Sequence, residues 1–377
     1  MRKTLALLVL LGVVSFGAGQ TAALFQPLDQ VYEAIRSYFL WADQVTDTQL
    51  LYGALKGMVQ SLGDPHSVFY TPEEYEKWER SLAGEYTGVG MEITIRKGWV
   101  TVVTPLPGTP AEAAGIRPGD VILEVDGEST EGWTLEQASM RIRGPEGTPV
   151  TLKVRHPDGK IEVLTLIRAR IRVESVRSRY LAEERVGYVR VLRLDAETGR
   201  LLGQALSAFP LGELRGLVLD LRNNPGGYLS AAVEVASFFV DRGVIVRTRG
   251  PSFGERLYHS RGNNLPNLPL AVLVNEGTAS GAEIVAGAIQ DHGVGVLVGR
   301  KTFGKGLIQQ EFVPRLPEGG VLKLTTGEYL TPQGRKVHEV GLTPDIEVKR
   351  VEEAEEDLDL KAALEWIAAR TPAGVKP

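Results

Sequence analysis

Asn275-Glu276-Gly277-Thr278-Ala279-Ser280-Gly281-Ala282-Glu283 joins two segments of different periodicity. Before it, Leu270 to Val274 is a continuous apolar run that reads as a buried strand. After it, Ile284, Val285, Ala288 and Ile289 share one side of a helix. Ser280 therefore stands where a strand turns into a helix, beside amides that lack an intrahelical partner and favour developing negative charge. Such a turn can set a nucleophilic hydroxyl next to donors for an oxyanion. The same residues also spell a capping box, Ser280 with Glu283 three positions on, which needs no chemistry to explain it.

Working outward, the chain of 377 residues is too long for one ordinary domain, and two or three are expected. Its 43% apolar and 24% charged content is that of globular proteins with sizeable cores. A net charge of −5 without a basic stripe argues against nucleic acid. The absence of cysteine excludes disulfides, thiolate metal sites, a cysteine nucleophile and a cysteine-linked lipid anchor. At the N-terminus, Arg2 and Lys3 precede an apolar run from Leu5 to Val14, followed by small residues at Ser15, Gly17, Ala18 and Gly19. This is the layout of an export signal, and the run is short of the ~20 residues a membrane span requires. Export is expected, with the leader either removed or kept as an anchor.

From Pro27 to about Trp78 the spacing is helical, with Leu28, Val31, Ile35 and Tyr38 on one face and Leu51, Leu55, Met58 and Leu62 on another. Asp47 and Thr48 are candidate caps of the second helix, and Gly63-Asp64-Pro65-His66 is a turn. Such a small helical piece suits a dimer or docking surface. From Gly84 to Ile171 short strands and turns take over. Thr109, Pro110 and Glu112 read as cap, first helical residue and capping-box partner, while Thr134 and Gln137 cap a second short helix. From Val186 strands and helices alternate: strands at Val186 to Leu192, Leu217 to Leu221, Val244 to Val246 and Val294 to Val298, with helices near Ala196 to Phe209 and Leu229 to Val240. That alternation marks βα units on an α/β sheet. At the end, Leu360, Ala363, Leu364 and Ile367 form one helical face behind an acidic run from Glu352 to Asp357.

Two further stretches bear on Ser280. Asp220 to Gly227, sequence DLRNNPGG, closes a strand with a glycine turn, and Gly226 or Gly227 is a second candidate oxyanion donor. Gly299 to Gly306, GRKTFGKG, comes close to a phosphate loop, but a strand-like LIQQEFV follows where a helix is required. A dinucleotide loop at Gly88 and Gly90 fails for want of a third glycine, Ile93 holding its place. None of the five histidines, His66, His156, His259, His292 and His338, sits in a motif with an acid partner. Lys305, between two glycines, is the other candidate base. Lysine titrates near 10.4, so holding it neutral at pH 7 costs about 4.6 kcal/mol, within reach of the ~3–5 units that burial can shift it.

Gly88-Val89-Gly90-Met91, Gly115 to Asp120 and Arg143 to Thr148 together resemble a PDZ domain, which implies capture of a peptide C-terminus as an added strand. With Asp64 to Ser67, Arg222 to Gly227, Thr278-Ala279-Ser280, Gly304-Lys305-Gly306, Gly334-Arg335 and Thr343-Pro344-Asp345, nearly the whole chain resembles a carboxyl-terminal processing protease of the serine–lysine kind. The resemblance implies Ser280 as nucleophile, Lys305, 25 positions on, as general base, and Gln309 as the residue orienting it. Gly226 and the amide of Gly281 match the oxyanion hole, Gly88 to Met91 the peptide-binding loop, and Arg143 a polar link between PDZ and protease. Thr278 departs from the serine that many members carry there.

The expected architecture is an α/β protease core of βα units on a mixed sheet, with an inserted PDZ-like β domain and a small helical N-terminal domain. The boundaries are 1–19 for the leader, 20–83 for the helical domain, 84–171 for the PDZ-like domain, 172–350 for the core and 351–377 for an acidic helical tail. No metal or organic cofactor is implied. The substrates implied are proteins with accessible apolar C-termini, cut outside the cytoplasm or in a periplasm. The rival is a non-catalytic PDZ scaffold that binds C-terminal peptides.

Overall fold

Residues 270–274 and 216–220 do form fully buried strands, and their alternate side chains explain the fold around them. In the computed structural model, which describes residues 25–82, 84–172, 174–262, 268–314, 316, 319–349 and 356–370, the chain divides into two units. The apolar leader and most of the acidic run before the last helix lie outside the described residues.

In chain order the elements are α1 (residues 25–38), α2 (Asp47–Gln60), β1 (Val68–Tyr70), α3 (Pro72–Leu82), β2 (Glu85–Gly88), β3 (Met91–Arg96), β4 (Trp99–Pro105) and α4 (Pro110–Ala113). Then come β5 (Val121–Val125), β6 (Glu128–Ser129), α5 (Leu135–Ile142), β7 (Pro149–Arg155), β8 (Ile161–Ile167) and β9 (Ala169–Arg172). The next run is β10 (Val176–Leu181), β11 (Val186–Val191), α6 (Thr198–Ser207), β12 (Gly216–Asp220), α7 (Leu229–Ser237), β13 (Val244–Gly250) and β14 (Gly254–His259). Last are β15 (Leu270–Val274), α8 (Gly281–His292), β16 (Val296–Gly299), β17 (Leu307–Phe312), β18 (Val321–Leu330), β19 (Ile346–Glu347) and α9 (Leu358–Ala368).

The smaller unit comprises residues 1–75 with 309–325. Its β1 pairs antiparallel with the start of β18, Val68 opposite Lys323 and Tyr70 opposite Val321. Helix α2 begins one residue earlier than its candidate caps: Thr46 is the N-cap, and Gln49 completes the capping box. Asp64 accepts from the amide of His66 and the hydroxyl of Ser67, so it serves the turn.

In the larger unit, the segment expected as a small β domain forms the sheet β3-β4-β5-β7-β8. Val100, Ile122, Leu152 and Val154 fill its core beneath Ala138 and Ile142 of α5. Thr134 and Gln137 form the expected capping box. At α4 the expected box is absent, because the Thr109 hydroxyl donates to the carbonyls of Gly90 and Leu106, while the Glu112 carboxylate takes the amide of Gly108. Helix α4 is only one turn, and fixing Thr109 to the Gly90 loop takes precedence over capping it.

The central sheet runs β10-β11-β12-β15-β16-β19, with β10 antiparallel to β11 and the rest parallel. Strand period two sends Leu217, Leu219, Leu270, Val272 and Val274 to the face covered by α6, α7 and α8. Val218, Ala271 and Leu273 go to the other face, where Ala363 and Ile367 of α9 cover them. A parallel sheet buried on both sides reads as unbroken apolar runs, which is what these strands show. Helix α9 is therefore part of the core and not an appended tail. Val244 to Val246 also departs from expectation: β13 leaves the central sheet and pairs antiparallel with β14 and with the end of β18. Its central neighbours at that point are already taken, since β12, β15 and β16 follow one another directly in the sheet.

Candidate active site

Three loops leave the carboxyl ends of adjacent parallel strands: Leu221 to Gly227 after β12, Asn275 to Ser280 after β15, and Arg300 to Gly306 after β16. In open α/β sheets this end is where ligands bind.

Ser280 is the N-cap of α8 and holds φ 53°, ψ −122°, a region that side-chain-bearing residues seldom occupy. Its strain is held in place by neighbours. The Ser280 carbonyl accepts from the amides of Glu283 and Ile284 and from the Tyr329 hydroxyl at 2.8 Å. Its amide donates to Glu283 Oε2 at 3.0 Å. Gly281, the first helical residue, follows with an amide that no helical carbonyl can reach.

Glu283 is fully buried and does far more than cap a helix. Its Oε1 accepts from Thr302 Oγ1 at 2.5 Å and from the Gly304 amide at 2.8 Å, while Oε2 accepts from the Lys305 amide at 2.9 Å. The backbones of Ser280 and Lys305 thus share one carboxylate oxygen. Lys305 itself is half-buried. Burial, and then the Glu283 charge, push the Tyr329 phenol well above its ordinary value, so it stays a neutral donor.

Gly226 lies directly against the Ser280 turn. A Cβ on it would come within 2.7 Å of both the Gly281 nitrogen and Ser280 Cβ, and its φ is 96°. Only glycine permits this approach. The amide of Gly226 donates to Asn224 Oδ1 at 2.8 Å, so it is engaged within its own turn. Asn224 is fully buried and also donates to the Val191 carbonyl. The turn is stitched to the Ser280 loop by Asn223 and Asn275, which exchange two hydrogen bonds of 2.9 Å, and by Thr278 Oγ1 to the Leu221 carbonyl. Thr278 is thus a buried tie between loops.

In the β domain, β3 is an outer strand of its sheet, and beside it runs a groove of about 230 Å³. Gly88, Val89, Gly90 and Met91 line it on one side, and Leu135, Ser139 and Ile142 of α5 on the other. Arg143 also lines it, with its guanidinium 4.6 Å from the Tyr86 ring. An outer strand beside an apolar helix face is the geometry that accepts a peptide as an added strand.

Residues 185–348 match the model of peptidase family S41, 101–156 a PDZ domain, and 17–74 the N-terminal domain of the activating protease CtpB. A carboxy-terminal-processing protease of Bartonella bacilliformis is 38% identical over 85% of this chain and 74% of its own length. The chain belongs to the carboxyl-terminal processing proteases. The carboxy-terminal processing protease CtpA of Bacillus subtilis is 32% identical over 90% of this chain and 72% of its own. A solved photosystem II D1 C-terminal processing protease superposes with a TM-score of 0.55, at 33% identity over 89% of this chain and 93% of that one.

As a member of this family the protein is a serine protease with a PDZ domain, and it acts on protein substrates. Ser280, Gly281, Gly226 and the backbone of Lys305 converge in the larger unit. Gln309, four residues beyond Lys305, belongs to the smaller unit, where its amide donates to Thr325 Oγ1 at 3.4 Å. Arg143 sits in the PDZ groove against Tyr86. Sequence reasoning missed Glu283 as more than a cap, as well as Asn223, Asn224 and Tyr329. Their partners lie on other loops, so spacing along the chain carries no sign of them. It also missed that His156 has acid partners: buried in the PDZ domain, it bonds Asp120 through Nδ1 at 2.9 Å and Glu162 through Nε2 at 3.2 Å.

Proposed function

We propose that the protein is an exported endopeptidase that captures protein C-termini in its PDZ groove and cleaves near them through an acyl-enzyme on Ser280. The observation that carries this reading is the sharing of the Glu283 carboxylate between the Ser280 turn and the Lys305 loop. The backbone of the residue that bears the hydroxyl, on a strained turn at a helix N-terminus, and that of the residue that bears the amine, on the neighbouring loop, are thereby tied to one carboxylate oxygen.

The neutral Lys305 amine takes the proton from the Ser280 hydroxyl as Oγ attacks the scissile carbonyl carbon. The resulting oxyanion is received by the Gly281 amide and by the Gly226–Gly227 turn, each donor lowering the barrier by about 2.7–4 kcal/mol. For the Gly226 amide to serve, it must exchange Asn224 Oδ1 for the oxyanion. Lys305 returns the proton to the leaving amine, and water, activated in the same way, hydrolyses the ester. The family resemblance assigns Gln309, four positions after Lys305, the role of orienting the lysine.

In the groove, an added strand would present alternate side chains to Met91, Ile93, Leu135 and Ile142, which favours apolar residues at the chain end. Arg143 supplies a cation near the terminal carboxylate and a link toward the protease. The sequence of the first 19 residues, laid out as an export signal, is what supports export; cell fractionation tests it. The exposed Tyr38, Leu40 and Trp41 suit the helical piece to self-association or docking, which sedimentation tests.

The deciding experiment is turnover of an unfolded protein with an apolar C-terminus. Ser280→Ala and Lys305→Ala should each abolish cleavage while remaining folded and still binding the C-terminal peptide. Retained cleavage in either variant removes the dyad. A wild type that binds such peptides but yields no fragments is instead a PDZ scaffold.

A further inference from the structure

Helix α9 enters the core with Asp357 as its N-cap and Asp359 in its first turn. Asp359 is buried, and its carboxylate receives two arginines from two different active-site loops. Arg222 Nη1 reaches Oδ2 at 3.1 Å, and Arg300 Nη1 reaches Oδ1 at 3.0 Å. Arg222 begins the turn that carries Gly226, whereas Arg300 begins the loop that carries Lys305. Arg300 also pairs through Nε with Glu276, which lies in the loop before Ser280.

Each arginine is held from several sides. Arg222 donates from Nη1 and Nη2 to Asp357 at 2.7 and 2.8 Å, and from Nε and Nη2 to the fully buried Asp220 at 3.0 and 2.7 Å. Burial works to lower its pKa, but the bonds to Asp357 and Asp220 outweigh it and raise the pKa. The Tyr188 hydroxyl completes the cluster on Asp220 at 2.6 Å. The backbone of Arg300 is fixed as well, its amide donating to the Val274 carbonyl at the end of β15.

We infer that Asp359 is a positioning residue for the proteolytic reaction: through Arg222 and Arg300 it makes the first turn of α9 the anchor that fixes the oxyanion turn and the lysine loop relative to Ser280. The inference rests on the proposed Ser280–Lys305 reading. The three loops leave separate strands, and the strand ends alone do not determine how far apart their tips stand. A charged group with two planar partners sets that spacing with direction as well as distance, because the guanidinium forks accept little angular freedom. Buried pairs of this kind are screened weakly by salt. Helix α9 cannot drift, since Ile367 packs so closely on Gly216 that a Cβ there would lie 2.6 Å from Ile367 Cγ2.

The test compares wild type, Asp359→Asn and Arg300→Gln for kcat and KM on a protein ending in an apolar C-terminus, alongside thermal melting. Hydrogen–deuterium exchange is followed in residues 221–227 and 300–306. Both variants should stay folded at assay temperature, hold KM within about twofold and lose kcat by about ten- to a hundredfold, the scale expected of a small misplacement. Exchange in both loops should quicken by about tenfold in Asp359→Asn, while the PDZ strands exchange as before. The double variant should be no slower than the worse single one, because one linkage is broken once. Unchanged kcat in folded Asp359→Asn, or a loss matched by the unfolded fraction, overturns the inference. If Asp359→Asn does not fold, Arg300→Gln, which leaves the Arg222 pairs intact, decides by the same criteria. If wild type cleaves nothing, the proteolytic reading fails, and exchange in the two loops alone decides whether Asp359 anchors them.

Discussion

Glu283, itself fully buried, accepts hydrogen bonds from the amides of Ser280, Gly304 and Lys305 and from the Thr302 hydroxyl. An acceptor-only carboxylate is the one side chain that satisfies four converging donors. Glu283→Gln keeps the shape but turns one acceptor into a donor that faces other donors. Each buried group left unsatisfied costs about 1–3 kcal/mol. The variant should therefore melt lower and lose about a hundredfold in kcat, as the Ser280 and Lys305 backbones separate. A Glu283→Gln enzyme with native turnover would show that this shared carboxylate has no part in aligning the site. From sequence, only the Ser280–Glu283 half of this arrangement is visible, because Thr302, Gly304 and Lys305 come from another loop.

At the scale of elements, the turn carrying Gly226 and the N-terminus of α8 approach more closely than side chains allow. Gly226→Ala would force a methyl to within 2.7 Å of the Gly281 nitrogen, a backbone atom that cannot swing aside, and at φ 96°. Strain of about 1–3 kcal/mol is expected from the backbone conformation alone. The measurable result is loss of turnover with C-terminal peptide binding retained, since the groove lies in a separate set of strands. Weakened peptide binding in this variant would contradict that separation. The strands β12 and β15 and the helices α7 and α8 were legible from periodicity within a few residues, and β15 matched its expected span. The antiparallel β13–β14 hairpin was not, because Val244 to Val246 is equally apolar in either sheet.

On the scale of the whole molecule, the PDZ domain contains its own titrating link. His156 is buried between Asp120, fully buried, and Glu162 on β8. The hydrogen bond to Asp120 raises its pKa, burial opposes, and Glu162 adds to the rise. A raised folded value means that this stabilisation is complete below the unfolded value of about 6.5 and is lost as pH climbs through the folded one. The melting-temperature gap between wild type and His156→Gln should therefore be wide near pH 6 and narrow toward pH 9. A gap independent of pH would mean that the imidazole is not charged in the fold. Asp120 and His156 are 36 residues apart, and it is the pairing of β5 with β7 that brings them together.

The order of strands and helices, the place of Ser280 at a strand-to-helix turn, and the family signature in scattered short motifs are properties of the sequence itself. They depend on local periodicity and on backbone preferences that act within a few residues. What tertiary structure decided is everything that joins loop to loop: the Glu283 carboxylate, the Gly226 approach, the Asp359 linkage and the inclusion of α9 in the core. Those depend on which strand lies beside which. Sheet pairing is set by burial of both faces at once, a condition on the entire molecule that no stretch of chain records alone.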